Sequence, residues 1–204
     1  EIRSMTQLGL THETLGGGFL LIVVGIGVTL FASHDFSSGF VKNICCAQPR
    51  RAIYVLSKVL TAGVYSGILT ILGITLVLLA PHLYGMHLLP STIFDILQYT
   101  FWMWLPNWAF GVMALFMVLL VRSSTLGILM SLASGLGLTA AVSQVLPYLL
   151  RLPYPSPYFL SSVVRSQCLP QPYPSQMWTV FLCSAGWALA YLAGSLLIME
   201  KRDI

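Results

Sequence analysis

The side chains able to do chemistry are few, and they gather where apolar stretches end. The run Asp35-Phe36-Ser37-Ser38-Gly39-Phe40-Val41-Lys42-Asn43-Ile44, then Pro49-Arg50-Arg51, Tyr54, Ser57 and Lys58, holds an acid, several hydroxyls and four of the ten basic residues. Phe36, Phe40 and Ile44 recur every four residues, so 36–44 reads as a short helix with one apolar face and with Lys42 and Asn43 on another. Asp35 or Ser37 would cap it by accepting from amides left free at a helix start. Two readings stay open: the helix docks on a partner or lies in the membrane interface, or the segment is a basic loop whose Arg50 and Arg51 anchor it at a headgroup surface.

Elsewhere the chemistry is sparse. The polar residues inside apolar runs are Asn107, just after Pro106, with Ser131, Ser134, Ser143 and Gln144. Pro106 removes a backbone donor, and Asn107 could bond a carbonyl freed there. Alternatively, Asn107 and Gln144 line a path for an amphipathic cargo. His34 sits at an apolar edge, and His82 and His87 fall in a connecting loop without metal-ligand spacing. The four cysteines, Cys45, Cys46, Cys168 and Cys183, show no C-x-x-C pair, so no metal site or disulfide framework is expected. The lysines are Lys42, Lys58 and Lys201, and none ends a G-x-x-x-x-G-K-[ST] loop, so the chain carries no nucleotide-binding motif of that kind.

The elements that must position these groups follow from the charges. Ten basic and six acidic residues among 204 make 8% charged, against 57% hydrophobic, which excludes an ordinary soluble enzyme. The net charge of +4 makes no patch or stripe for nucleic acid. Charges are absent from 14–34, 59–94, 96–121, 123–150 and 166–199, each long enough for the roughly 20 residues that cross a bilayer. An all-α polytopic membrane bundle is expected, with spans near 15–33, 53–80, 97–121, 124–146 and 177–199. Lys42, Arg50, Arg51, Lys58, Arg122, Lys201 and Arg202 then share one side, against Arg3, Arg151 and Arg165 on the other. The positive-inside rule puts Glu1 outside and the C-terminus in the cytoplasm. With no signal-peptide pattern at the start, a sixth span before Glu1 is the simplest completion.

Small residues at four-residue spacing, Gly63/Gly67, Ala133/Gly137 and Gly186/Ala190/Gly194, predict close helix packing. Tyr99, Trp102, Trp104 and Trp178 suit an outer aromatic belt. The segment 147–176 carries seven of the eleven prolines, interleaved with Tyr148, Tyr154, Tyr158 and Tyr173. It reads as an ordered external cap, or as a plain connection.

The run Asp35 to Gly39, with Lys42-Asn43, Arg50-Arg51 and Ser57-Lys58, resembles the loop between the second and third spans in permease subunits of bacterial type-2 ABC exporters. The closing Glu200-Lys201-Arg202-Asp203-Ile204 is similar to their tails. The resemblance implies one domain in the bacterial cytoplasmic membrane, with a coupling segment at 35–51. In it, 36–44 is a coupling helix docking on separate ABC ATPase subunits, which hold ATP and Mg, and this chain binds no cofactor. It further implies a second permease chain, membrane lipid as surroundings, and an outer gate involving Tyr154, Tyr158 and Phe159. Antimicrobial peptides, drugs and lipid-linked molecules are the implied cargoes. A membrane-embedded lipid-modifying enzyme and a non-transporting immunity or scaffold protein are the competing expectations.

Overall fold

The computed structural model describes residues 10–11, 14–15, 18–39, 51–84, 91–139, 141–142, 145, 160, 163 and 174–201. Regular structure among them is helical throughout: α1 (Phe19–Ser37), α2 (Arg51–Leu83), α3 (Ile93–Val121), α4 (Ser124–Gly135) and α5 (Pro174–Lys201). Four of these, α1, α2, α3 and α5, are long and apolar enough to cross a membrane. The protein is a membrane-spanning helix bundle.

The fourth expected span, 124–146, is interrupted among its described residues. Its helix is only 12 residues long, about 18 Å at ~1.5 Å per residue, so α4 alone is too short to cross. Leu136 and Gly137 form a turn, with Gly137 at φ +82°, before residues 138–139 and 141–142 become helical again. A left-handed residue interrupts the ladder of backbone hydrogen bonds, and glycine adopts that conformation without steric cost. Counting apolar residues is blind to such a break.

Contacts between named residues set the topology. α1 and α2 run antiparallel, since Gly27 lies against Tyr65, and Gly73 against Leu15 and Leu20. α2 and α3 are also antiparallel, with Gly63 under Trp108 and Gly67 under Trp104. α4 returns along α1, Gly127 on Thr29 and Gly135 on Ile22. α5 is instead parallel to α3: Trp102 meets Phe181 at 6.2 Å between ring centroids, and Phe116 meets Tyr191 at 5.5 Å. The core sits where α1, α2 and α3 converge, around Val24, Val28, Val55, Val112, Leu115 and Val118, all fully or almost fully buried.

The α2–α3 seam shows what the small residues are for. Gly63 and Gly67 leave room for two indoles that stack at 5.4 Å and 6°. Trp104 Nε1 donates to the Gly63 carbonyl at 2.9 Å, and Trp108 Nε1 to the Val59 carbonyl at 3.0 Å. Trp104 therefore belongs to an interhelical joint, whereas Trp178 is 66% exposed at the start of α5. Replacing either Trp104 or Trp108 by Phe keeps a ring but deletes one such bond, and should cost about 1 kcal/mol each. Because the rings touch, thermal unfolding of the double variant should depart from the sum of the singles.

Not every small residue packs as expected. Gly194 meets the Phe116 ring, but Gly186 has nothing within 4 Å. Backbone meets backbone beside α4, where Gly18, the residue before α1, at φ +86°, lies against Gly135.

Candidate functional site

The expected coupling segment begins inside α1. The helix runs through Ser37, so Asp35, Phe36 and Ser37 form its last turn and cap no separate helix. Its end is built from Ser38 N–H donating to the His34 carbonyl at 3.0 Å and Gly39 N–H to the Phe36 carbonyl at 3.3 Å. Gly39 sits at φ +69°, the left-handed residue that commonly follows a helix. Phe36 packs against the apolar core, so α1 absorbs the first member of the Phe36/Phe40/Ile44 repeat. Phe40, Lys42, Asn43, Ile44 and Arg50 lie outside the described residues, and Arg51 is the first residue of α2.

Asp35 makes the contact that the sequence did not reveal. Its Oδ2 pairs with Lys58 Nζ at 2.6 Å, both side chains only 10% exposed, and accepts from Tyr54 Oη at 3.0 Å. Lys58 Nζ also lies 3.6 Å from the centre of the Phe31 ring, within cation–π range. The group has a simple helical logic. Phe31 and Asp35 are four apart on α1, Tyr54 and Lys58 four apart on α2, so each pair shares one face of its helix. Antiparallel packing brings the two faces together at the end where the chain passes from α1 to α2. One carboxylate is thus met by a cation and a hydroxyl, and the cation by a carboxylate and an aromatic face.

Of the expected cargo-path residues, Asn107 is described. Asn107 is 1% exposed, and its Nδ2 donates to the Met103 carbonyl at 2.8 Å. The carbonyl freed by Pro106 is that of Trp102, four residues back, so Asn107 serves the neighbouring turn. Gln144 lies outside the described residues. Ser131 Oγ donates to the Gly127 carbonyl at 2.7 Å, while Thr29 Oγ1, buried near it, has no hydrogen-bond partner among the described residues.

Tyr154, Tyr158 and Phe159, proposed for the outer gate, also lie outside the described residues. Two residues of the 147–176 segment ahead of α5 are described, and both are buried: Leu160 at 5% and Val163 at 1% exposure. Leu160 joins an apolar cluster with Leu21, Ala109, Phe110 and Met113, packed beside Trp187, Ala188 and Tyr191. That places it near the middle of α3. His34 is exposed on the last turn of α1, and His82 belongs to the last turn of α2 instead of a loop. Among the described residues, no three His, Cys, Asp or Glu side chains group so as to hold a metal. Set beside protein-family models, curated proteins and solved structures, the chain matches none.

Proposed function

We propose that the chain is the permease subunit of an ATP-driven exporter, moving an amphipathic cargo and worked by separate ATPase subunits that carry ATP and Mg. The observation that supports this most is where the polar chemistry lies. Asp35, Tyr54 and Lys58 lock the loop end of the α1–α2 hairpin, while the described charged residues Asp95, Arg122, Glu200 and Lys201 all lie at or near helix ends. Transport coupled to protons or sodium commonly uses acids inside the bundle. A bundle driven mechanically from its surface needs instead a stiff attachment point, and the hairpin end supplies one. Leu160, buried beside Phe110, suits a segment that blocks the route through the bundle and must shift for cargo to leave. A second permease chain, identical or related, completes the pathway in this reading.

The test lies on the loop. Purified from its native membranes, the chain should bring with it a P-loop polypeptide that hydrolyses ATP. Phe40→Asp places a charge on the proposed docking face and should reduce the retained ATPase at least tenfold. Purification without an ATPase, or undiminished association of Phe40→Asp, overturns the proposal.

A further inference from the structure

The Asp35–Lys58 pair stands where two helices have the least support of their own. The last turn of α1 and the first turn of α2 hold carbonyls and amides without intrahelical partners, and such ends open most easily. A buried ion pair is a weak source of net stability, because desolvation offsets much of the attraction. It is directional, however, and closes in only one relative placement of the helices. Here that placement is defined on both sides. α1 offers Lys58 the Asp35 carboxylate and the Phe31 ring, and Tyr54 of α2 holds the same carboxylate oxygen.

We infer that Phe31, Asp35, Tyr54 and Lys58 form a latch that makes the loop ends of α1 and α2 one rigid body. A displacement applied to residues 40–50 then reaches both helices together and is not lost in splaying them apart. This deepens the exporter reading, in which an ATPase applies the displacement, but the latch is a property of this chain and is measurable without a partner. Asp35, Lys58 and Tyr54 are positioning residues in this scheme, touching no cargo.

The experiment places spin labels at Ser37 and Ile53, both exposed near the hairpin end, with Cys45, Cys46, Cys168 and Cys183 replaced by alanine and the full chain in lipid nanodiscs. Pulsed EPR should give one narrow distance distribution for the parent. The double variant D35N/K58M removes both charges and so strands neither. Its distribution should be at least twice as broad, with the melting curve followed by the fluorescence of the five tryptophans unchanged. An unchanged width overturns the latch. Broadening together with loss of the tryptophan transition also overturns it, since the pair would then hold the whole bundle and not the joint. In complex with the ATPase, trapping with ATP and vanadate should leave the parental Ser37–Ile53 distance fixed and shift it in D35N/K58M; a shift in the parent overturns the latch. Absence of an accompanying ATPase would defeat the exporter reading, while the nanodisc comparison would still decide the latch.

Discussion

Lys58→Met is expected to destabilise the detergent-solubilised protein by about 3–5 kcal/mol, the usual consequence of removing one member of a buried ion pair. In a chain of this length that corresponds to a fall in melting temperature on the order of 10 °C. The cost arises from what remains. Asp35 keeps the Tyr54 hydroxyl at 3.0 Å but loses its cation at a site where its side chain is 10% exposed. A short carboxylate on the last turn of α1 has no means of reaching water without unwinding that turn. Lysine is different, because its long apolar stem lets the ammonium move toward an interface. Asp35→Asn should therefore cost less than Lys58→Met, since Lys58 retains the Phe31 ring and a route outward. Thermal unfolding of the two single variants checks the order. A loss below about 1 kcal/mol for Lys58→Met would place the pair among exposed ion pairs of small effect.

Gly25→Val should produce the second large effect, about 2–3 kcal/mol, by overpacking. A Cβ at Gly25 would collide with Ser131 Oγ, approach Ser131 Cβ at 2.7 Å and approach Phe110 Cε1 at 2.8 Å. None of these neighbours yields easily. Ser131 is buried and tied to the Gly127 carbonyl, and Phe110 is 3% exposed in its own cluster. α1 would have to withdraw from α3 and α4 together. Gly186→Val provides the comparison, because a Cβ there meets nothing within 4 Å, and the fold of the single chain should be unaffected. Equal losses at the two positions would show that helix propensity, not interhelical distance, sets the response.

The contrast between these glycines shows what the sequence makes legible. Gaps between charges locate α1, α2, α3 and α5, because transfer to lipid depends on composition summed over about 20 residues. Four-residue spacing picks out Gly63 and Gly67 correctly as sites of close approach, but it cannot show that indole rings fill the space. The same spacing picks Gly186, which is open, and passes over Gly18 and Gly25, whose neighbours on α4 are more than a hundred positions away in sequence. The break in α4 has a visible signature, Ser134-Gly135-Leu136-Gly137, that hydropathy averages away.

At the candidate site, the basic loop and the importance of Asp35 are legible, but its pairing is not. Treated one by one, Asp35 and Lys58 mark the edges of apolar runs. Only folding the hairpin shows that they share an edge, and that Phe31 and Tyr54, apolar or neutral by composition, complete the group.

The parallel placement of α5 beside α3 bears on how the protein is made. Neighbouring antiparallel helices can enter the bilayer as hairpins, but α5 has to wait until the chain after α4 has returned to the end where α3 begins. At about 5–20 residues per second of synthesis, the face of α3 that carries Trp102 and Phe116 spends seconds against lipid before Phe181 and Tyr191 arrive. Docking of α5 is thus a displacement of acyl chains by aromatic rings, and a chain released before α5 would retain a greasy furrow that quality-control proteases can recognise.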